Sequence, residues 1–363
     1  MIALCNRKKI QRKLLDWFHK HGRDLPWRRT RDPYAIWISE IMLQQTQVDT
    51  VIPYYQRFLK SFPTVRRLAE ADLSKVLKAW EGLGYYSRAR NLHRASQVLS
   101  SHLKGKIPDT IEGLLNIPGI GRYTAGAILS IAYNKEAPIL DGNVKRVLAR
   151  LFAISGDIRE KETGQTLWTL SESLIPQGYA GSFNQALMDL GAMVCTPRNP
   201  LCLRCPLQRL CKAKAQGKPE RYPLKAAKKR IPRVDAFSVL IERNGKLLVR
   251  QRPPEGLLGG LWEFPNWKTE DKRGLRSKLR LRNHIKKELG VNVKVKESIG
   301  TFQQTFSHFK LTLHVFQCES SNLDKNRGGK WIPIQNLDQL AMSRIHRRIA
   351  EMVMNRRAAG EMG

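Results

Sequence analysis

The sequence contains no run of 18 apolar residues, and its first eleven residues lack the apolar stretch of a secretory signal peptide. Neither a membrane span nor export is therefore expected, and we place the protein in the cytosol or at the nucleoid. No internal repeat is found in the 363 residues, which argues against a repeat architecture. Acidic residues are few, since 31 Asp and Glu stand against 64 Lys and Arg.

The scarcity of acids leaves a formal net charge of +33, which is spread over the whole chain. A field of this sign suits a polyanion, because each phosphate that a protein neutralises releases condensed counterions. A generally basic proteome or a basic tail would also give a high charge, but this charge is not held in one tail. We therefore expect nucleic acid as the partner rather than a membrane surface. Hydrophobic residues make up 42% of the chain, and the length fits two globular domains.

The apolar pattern changes along the chain. In residues 1–215 apolar residues recur at helical spacing, and Gly or Pro breaks divide the pattern into short helices. Residues 216–234 lack this periodicity and are rich in proline and basic residues, which is typical of a linker that either contacts an anion or is merely solvated. In residues 235–355 the period moves toward two, and Asn244-Gly245 predicts a hairpin. We expect an all-α domain followed by a separate α+β domain.

A short motif lies between two helical patterns, Ile117-Pro118-Gly119-Ile120-Gly121. Its glycines let the backbone turn tightly and come close to a ligand. The next helix starts at once, so its free amides and positive dipole end point at the turn, where a phosphate can sit. This arrangement is a helix–hairpin–helix, which grips DNA without reading bases, although many helix–helix turns have similar sequences. Pro118, Gly119 and Gly121 are the candidate DNA-binding positions.

Two carboxylates are candidates for acid–base chemistry. Asp141 precedes a helical pattern, so it could simply cap that helix, or it could stabilise positive charge as a glycosidic bond breaks. Glu40 lies in an apolar helix, where a Glu is more often a solvated residue. The side chains expected on its face are Trp37, Gln44 and Gln47 rather than Lys or Arg. A partly desolvated Glu40 should have a raised pKa and donate a proton, and one protonated and one ionised carboxylate suit glycosidic cleavage.

Most of the cysteines are concentrated in one segment. Four of the six lie within 17 residues: Cys195, Cys202, Cys205 and Cys211. Cys5 and Cys318 are isolated, and we interpret them as core residues. Because disulfides are uncommon in the cytosol, the four predict a metal site. Zinc modules usually supply two close pairs, and only Cys202 and Cys205 form one, whereas four thiolates in one loop also fit a [4Fe–4S] cluster. Spacing alone leaves the two metals about even.

Taken in order, the hairpin, Asp141 and the C-x6-C-x2-C-x5-C spacing resemble the endonuclease III superfamily of DNA glycosylases. That resemblance implies a [4Fe–4S] cluster on the four cysteines. Longer stretches, among them 25–28, 39–47, 82–86 and 140–146, resemble the MutY family of adenine DNA glycosylases, nearly from end to end. The implied architecture is a helix–hairpin–helix glycosylase domain over 1–215 with an iron–sulfur loop at 195–211, a basic linker over 216–234, and a Nudix-like domain over 235–355.

The resemblance also implies a reaction, the excision of adenine opposite 8-oxoguanine or guanine in double-stranded DNA by a monomer. Glu40 would protonate the adenine and handle the proton of water, and Asp141 would stabilise the cationic sugar, with Tyr123 and Asn143 beside it. Lyase members of the superfamily carry a Schiff-base Lys where Tyr123 stands, so water is expected as the final nucleophile. Lys145 could still give weak adventitious lyase activity.

Further positions match residues that hold DNA in that family. The flipped adenine would be held by Arg23, Trp27, Arg28, Leu43 and Gln185. Gln45 and Tyr85 would enter the base stack where the adenine leaves. Extrusion costs a few kcal/mol of unstacking, and least at a mispair, so the step itself contributes selectivity.

The second domain carries a degenerate Nudix motif. A Nudix hydrolase binds Mg²⁺ with the acids of a Gly…Arg-Glu-x-x-Glu-Glu-x-Gly array. In the counterpart here, Asn283 replaces the Arg, and His284 and Lys287 replace two acids, so we expect no pyrophosphatase activity. The resemblance implies that this domain recognises 8-oxoguanine through Ser307 and His308. On their chemistry alone these two would be ordinary polar loop residues.

Three other functions stay open from the sequence. A lyase-competent endonuclease III relative that excises oxidised pyrimidines would be trapped on DNA by borohydride. A non-catalytic DNA-binding protein would use the hairpin and cluster only to grip, and Glu40→Gln would then affect binding alone. A Nudix-type nucleotide hydrolase would turn over 8-oxo-dGTP with Mg²⁺.

Overall fold

The computed structural model describes residues 4–224, 231–269, 277–320 and 329–359. Part of the predicted linker, residues 225–230, lies outside these ranges, as do 270–276 and 321–328 of the predicted second domain. The chain divides into two compact units, residues 1–70 with 91–228 and residues 71–90 with 229–363. Within the described ranges no helix is both long and apolar enough to cross a membrane.

The α-helices of the described chain are α1 (Leu4–His21), α2 (Pro33–Leu43), α3 (Val48–Ser61), α4 (Val65–Ala69), α5 (Leu73–Ala79), α6 (Ser87–Leu103), α7 (Ile111–Leu115), α8 (Arg122–Ile131), α9 (Gly142–Phe152), α10 (Lys161–Leu174), α11 (Ala180–Asp189), α12 (Lys212–Ala215), α13 (Lys278–Leu289) and α14 (Arg344–Ala358). The strands are β1 (Arg233–Arg243), β2 (Lys246–Gln251), β3 (Trp262–Glu263), β4 (Asn266–Thr269), β5 (Val293–Thr305), β6 (Lys310–Ser320) and β7 (Lys330–Pro333). All of these described strands fall in the second unit.

The first unit is built from amphipathic helices whose apolar faces meet in one core. Leu14 of α1, Leu148 of α9 and Phe183 of α11 are fully buried there. Polar side chains define where the helices begin. Asp32 accepts from the amide of Tyr34 at the start of α2, which satisfies one of the free amides of the first turn.

The second unit is a mixed sheet with α13 and α14 packed on its apolar residues. The strand order is β3-β2-β1-β6-β5, with β4 also paired to β1 and β7 to β2. Only β1 and β6 among these pairs run parallel. The predicted hairpin is confirmed, because Arg243 pairs with Lys246 across Asn244-Gly245, both in the left-handed region. Cys318 is buried in this unit, as predicted.

Residues 71–90, a segment of the helical part of the sequence, make their contacts in the second unit. Glu81 accepts from the amide of Met342 at 3.0 Å and from Nε of Arg347 at 2.9 Å. The hydroxyl of Tyr86 donates to the carbonyl of Met342 at 3.1 Å. Arg90 donates to the carbonyl of Gly259 at 2.9 Å. These polar contacts fix the Gly82–Tyr86 turn to the sheet unit.

Candidate active site

Glu40 is a buried acid in a helix without a polar face. Every residue of α2 from Tyr34 to Met42 is buried, and Glu40 is 3% exposed. The phenol of Tyr123, in the first turn of α8, donates to Oε2 of Glu40 at 2.6 Å. The apolar helix therefore holds one ionisable group against one hydroxyl, away from bulk water.

Asp141 occupies the N-cap of α9. Its Oδ1 accepts from the amide of Val144 at 2.7 Å, and its Oδ2 accepts from Nδ2 of Asn143 at 3.0 Å. Nη2 of Arg146 in turn donates to Oδ1 of Asn143 at 2.7 Å. Asp141 therefore caps α9, as the sequence allowed, and the same hydrogen bonds fix the orientation of its carboxylate.

The two carboxylates line the same cavity, which has a volume of about 550 Å³. That volume lies in the usual range of ligand sites. Eight further residues predicted for the site line the same cavity: Arg23, Trp27, Arg28, Leu43, Gln45, Tyr123, Asn143 and Gln185. Gln44, which was expected only on the same helix face as Glu40, lines it too. Among the described residues of this lining there is no lysine.

Burial raises the pKa of both acids, and different neighbours oppose that rise in each. Burial raises the pKa of Glu40 to about 7, against the lowering effect of the Tyr123 hydrogen bond; the charge of Asp141 raises it further and that of Arg28 lowers it. Burial also raises the pKa of Asp141, but the hydrogen bonds from Val144 and Asn143 oppose that rise. Glu40 can thus hold a proton near neutral pH, and the hydrogen bonds on Asp141 favour the ionised form of that carboxylate against its burial.

One expected neighbour of Glu40 is absent from the cavity. Trp37 is 1% exposed and packs in the core, with its ring 6.3 Å from that of Tyr34. Trp37 shares a helix face with Glu40 by spacing, but α2 is buried on all sides, so that spacing does not bring Trp37 into the cavity. Gln44 and Gln47 do line the cavity, from the chain that follows α2.

Asp189 is a buried acid behind the cavity wall that the sequence analysis did not single out. It is fully buried and forms ion pairs with Arg23 and Arg28, the two arginines of the cavity wall. Although burial alone would raise its pKa, hydrogen bonds from Arg28 and Arg23 hold the pKa of Asp189 below its usual value. The sequence signal for this cluster was weak: it consists of the basic residues Arg23 and Arg28 in one short segment and the isolated Asp189 in an apolar helix.

The predicted hairpin joins α7 to α8. Gly119 has φ +80°, and a Cβ there would lie 2.8 Å from Cβ of Asn91, so the turn needs glycine. Gly121 caps α8 with no side chain on the first amides, and a Cβ at this position would meet nothing within 4 Å. Pro118, Gly119 and Gly121 do not line the cavity, and they leave an open helix N-terminus at the surface.

The four clustered cysteines lie close together in the loop after α11. Burial is the main cause that raises the pKa of Cys205, and the charges of Cys195, Cys211 and Cys202 add to it. In the described part of the chain, no three His, Cys, Asp or Glu side chains are placed to hold a single metal ion. Four thiolates in one short loop are the ligand set of a multi-iron cluster.

A buried cation supports this cysteine loop. Arg150 is 2% exposed and donates to the carbonyls of Thr196 at 2.6 Å and Pro197 at 3.0 Å, and to Sγ of Cys195 at 3.4 Å. Nε of Arg146 donates to the carbonyl of Cys195 at 2.7 Å. The positive charges suit an anionic thiolate cluster at this position.

The second unit has its own cavity, of about 320 Å³. It is lined by the Gly82–Tyr86 turn, by Leu257 and Leu258, and by the loop between β5 and β6. Tyr85 stands 49% exposed with φ +47°, and Oγ of Ser307 lies 3.2 Å from Nδ1 of His308. The structure therefore brings Tyr85, Ser307 and His308 to one cavity of the second unit.

The degenerate Nudix motif lies on α13. His284 packs against aromatic rings, 4.9 Å from Trp267 and 5.4 Å from Phe237. Lys287 is exposed on the same helix. At the two positions where a Nudix hydrolase has acids, this chain thus has a histidine packed against aromatic rings and an exposed lysine. The expected lack of pyrophosphatase activity stays a prediction.

Three family models match the chain. Residues 38–173 match the HhH-GPD superfamily of base excision DNA repair proteins, and residues 195–211 match the iron–sulfur binding domain of endonuclease III. Residues 236–352 match the NUDIX domain. These matches confirm the predicted fold class, and the match at 195–211 confirms the predicted [4Fe–4S] cluster rather than zinc.

Similar proteins cover nearly the whole chain. The adenine DNA glycosylase of Buchnera aphidicola is 37% identical over 93% of this chain and 95% of its own. The human adenine DNA glycosylase is 35% identical over 96% of this chain and 75% of its own. A thermostable thymine-DNA glycosylase structure has a TM-score of 0.54 at 31% identity, covering 58% of this chain and 98% of that one. A trapped endonuclease III–DNA complex shares the fold, with a TM-score of 0.52 at 21% identity over 60% of this chain and 99% of that one.

Proposed function

Because this chain belongs to the adenine DNA glycosylase family, we propose that it excises adenine mispaired with 8-oxoguanine or guanine from double-stranded DNA. It is an adenine-specific DNA N-glycosylase of base excision repair. The observation that carries the finer proposal is the meeting of Glu40 and Asp141 in one cavity that has no lysine among its described lining residues.

Glu40 acts as the general acid. A pKa of about 7 leaves much of it protonated at neutral pH, and its position in the cavity lets it pass that proton to a ring nitrogen of adenine. Protonation turns the departing purine from an anion into a neutral molecule. After the base leaves, the carboxylate of Glu40 takes a proton from the attacking water, and Tyr123 holds it in place.

Asp141 stabilises the sugar as the glycosidic bond breaks. Its two hydrogen bonds as an N-cap fix the carboxylate before the positive charge develops, so little reorganisation is needed. Asn143 holds one of its oxygens. Water then adds to the oxocarbenium-like sugar, because no amine stands at the position of Tyr123 to capture it.

The remaining cavity residues hold the extruded base, namely Arg23, Trp27, Arg28, Leu43 and Gln185. Gln45, which has φ +59°, and the exposed Tyr85 are each proposed to enter the base stack. The hairpin residues Pro118, Gly119 and Gly121 hold a backbone phosphate at the open N-terminus of α8. Base extrusion is easiest at a mispair, which favours the proposed substrates.

Cys195, Cys202, Cys205 and Cys211 would hold the [4Fe–4S] cluster, and when bound it would cross-link the loop after α11 through their thiolates. We propose that the cluster has a structural role and takes part in no step of the reaction. Since both carboxylates and the cavity come from one chain, the enzyme is proposed to act as a monomer, in the cytosol or nucleoid where its duplex lies.

The cavity of the second unit is proposed to recognise 8-oxoguanine. Ser307 and His308 offer a hydroxyl and an imidazole to the edge of the damaged base, next to Tyr85. This division assigns adenine to the helical unit and the opposite base to the sheet unit.

The proposed substrate and the absence of lyase chemistry are tested together. Duplexes that contain A:8-oxoguanine, A:G, A:T or thymine glycol are incubated with the enzyme under single-turnover conditions, with and without borohydride. We expect adenine release from the first two, none from thymine glycol, and little covalent adduct. Strong borohydride trapping or release of thymine glycol would contradict the proposal.

Removing the polar groups of the second cavity should weaken the preference for 8-oxoguanine over guanine opposite the adenine. In Ser307→Ala/His308→Ala we expect the preference for A:8-oxoguanine over A:G to fall about tenfold, since lost hydrogen bonds to a buried base cost about 1–3 kcal/mol. Thr301→Ala is the matched control, because Thr301 also pairs with a histidine, His314 at 3.3 Å, outside this cavity. Equal preferences in both variants would refute the assignment.

A further inference from the structure

The wall of the Glu40 cavity is backed by a buried carboxylate that no proposed step uses. Asp189, the last residue of α11, is fully buried and accepts hydrogen bonds from two arginines. Arg23 donates from its backbone amide at 3.0 Å, from Nε at 2.8 Å and from Nη2 at 2.5 Å. Arg28 donates from Nη1 at 2.7 Å and from Nη2 at 2.9 Å.

These contacts fix two long side chains in one geometry. A free arginine has several rotatable bonds, and a carboxylate that takes paired N–H donors removes that freedom before a ligand arrives. Nη1 of Arg28 also donates to the carbonyl of Arg23 at 2.8 Å, which ties the chain between α1 and α2 to the same point. Both arginines line the cavity, so Asp189 determines where their unused N–H groups stand.

Asp189 is also paired with an arginine that acts on the acid. Arg28 acts on Glu40 and favours its ionised form, while Asp141 and burial favour the protonated form. Among the described residues, the titratable or charged groups that line this cavity with Glu40 are Tyr123, Asp141, Arg28 and Arg23. With two guanidinium groups in the wall, one buried carboxylate behind them cancels about half of their charge.

We propose that Asp189 is a positioning residue, which fixes Arg23 and Arg28 at the cavity wall. Its negative charge offsets the positive charge of these arginines, so that they favour the ionised form of Glu40 less strongly. The inference rests on the proposed function, because Glu40 must enter the reaction protonated. A merely structural Asp189 would affect stability and leave the titration of Glu40 where it is.

The test reads the proton on Glu40 without DNA. The carboxyl stretch of Glu40 is isolated as an infrared difference against Glu40→Gln and titrated from pH 4 to pH 9 in the intact protein. In Asp189→Asn we expect the midpoint to fall by about one pH unit, the lower end of the effect of a nearby charge. Single-turnover adenine excision should lose activity about fivefold at pH 7 and recover at pH 5. Asp189→Glu, which keeps the charge, should stay near the parent midpoint.

A second pair of variants covers a failure of Asp189→Asn to fold. Arg28→Gln should raise the midpoint, because the carboxylate behind it then faces Arg23 alone. Asp189→Asn/Arg28→Gln, which removes one charge of each sign, should titrate about one unit below Arg28→Gln. The inference would be overturned if Glu40 titrated with the same midpoint in the parent and in Asp189→Asn, or with the same midpoint in Arg28→Gln and in the double variant. An enzyme that titrates as expected but releases no adenine would refute the proposed function alone.

Discussion

Glu40→Gln is expected to lower single-turnover adenine excision about 10³-fold or more, with DNA affinity within about threefold of the parent. A general acid contributes about 10²–10⁴-fold, and here it also serves the water step. The amide keeps the size of the side chain and can still accept from Tyr123, whose hydroxyl lies 2.6 Å from Oε2. Rates from rapid quench and affinity from fluorescence anisotropy on the same A:8-oxoguanine duplex measure the two effects separately.

Unfolding would not explain such a loss. Folding raises the pKa of Glu40 above its value in the unfolded chain, so the stability from this group is present at low pH and is lost as the pH rises through about 7. Gln does not ionise, and the variant should therefore unfold no earlier than the parent at pH 8. Glu70→Gln is the matched control, since Glu70 is exposed and pairs with Arg66 on the surface. Excision at the parent rate in Glu40→Gln would remove the acid from the mechanism.

Asp141→Asn is expected to lower excision by about 10²–10³-fold, the range for losing one preorganised electrostatic group. Asparagine is as good an N-cap as aspartate, so it keeps an acceptor for the amide of Val144 and leaves α9 intact. Asp141→Asn thus removes the negative charge of the side chain but keeps the N-cap of α9. Thermal unfolding should therefore change little while the rate falls steeply.

Asp141→Ala separates the two roles of this residue. It removes the cap as well as the charge, and should cost about 1 kcal/mol of stability beyond Asp141→Asn. The excision rates of the two variants should nevertheless be similar. If Asp141→Asn kept the parent rate and only Asp141→Ala lost it, Asp141 would be a helix cap and nothing more.

Much of the site could be predicted because its chemistry is local in sequence. The cap at Asp141 needs only the helix that follows it, and the turn at Gly119 needs only a left-handed residue between two helices. The spacing of the cysteines is set by one loop. The family resemblance then added which side chains share a cavity, since Glu40 and Tyr123 are 83 residues apart and no periodicity connects them.

The unpredicted features depend on contacts between distant parts of the chain. Asp189 lies in an apolar helix, and its two partners come from a loop more than 160 residues earlier. Trp37 and Glu40 share a helix face by spacing, yet only Glu40 reaches the cavity, because α2 is buried all around. Glu81 and Arg90 look like ordinary surface charges of a helical domain, and their partners lie in the sheet unit.

The central claim is that a protonated Glu40 and an ionised Asp141 in one cavity break the bond to adenine. Its most direct measurement is the single-turnover rate of adenine release from an A:8-oxoguanine duplex between pH 5 and pH 9. The rate should decline as the pH rises through about 7, where Glu40 loses its proton, and Glu40→Gln should show no such decline. A parent rate that is flat or rises across that interval would contradict the account.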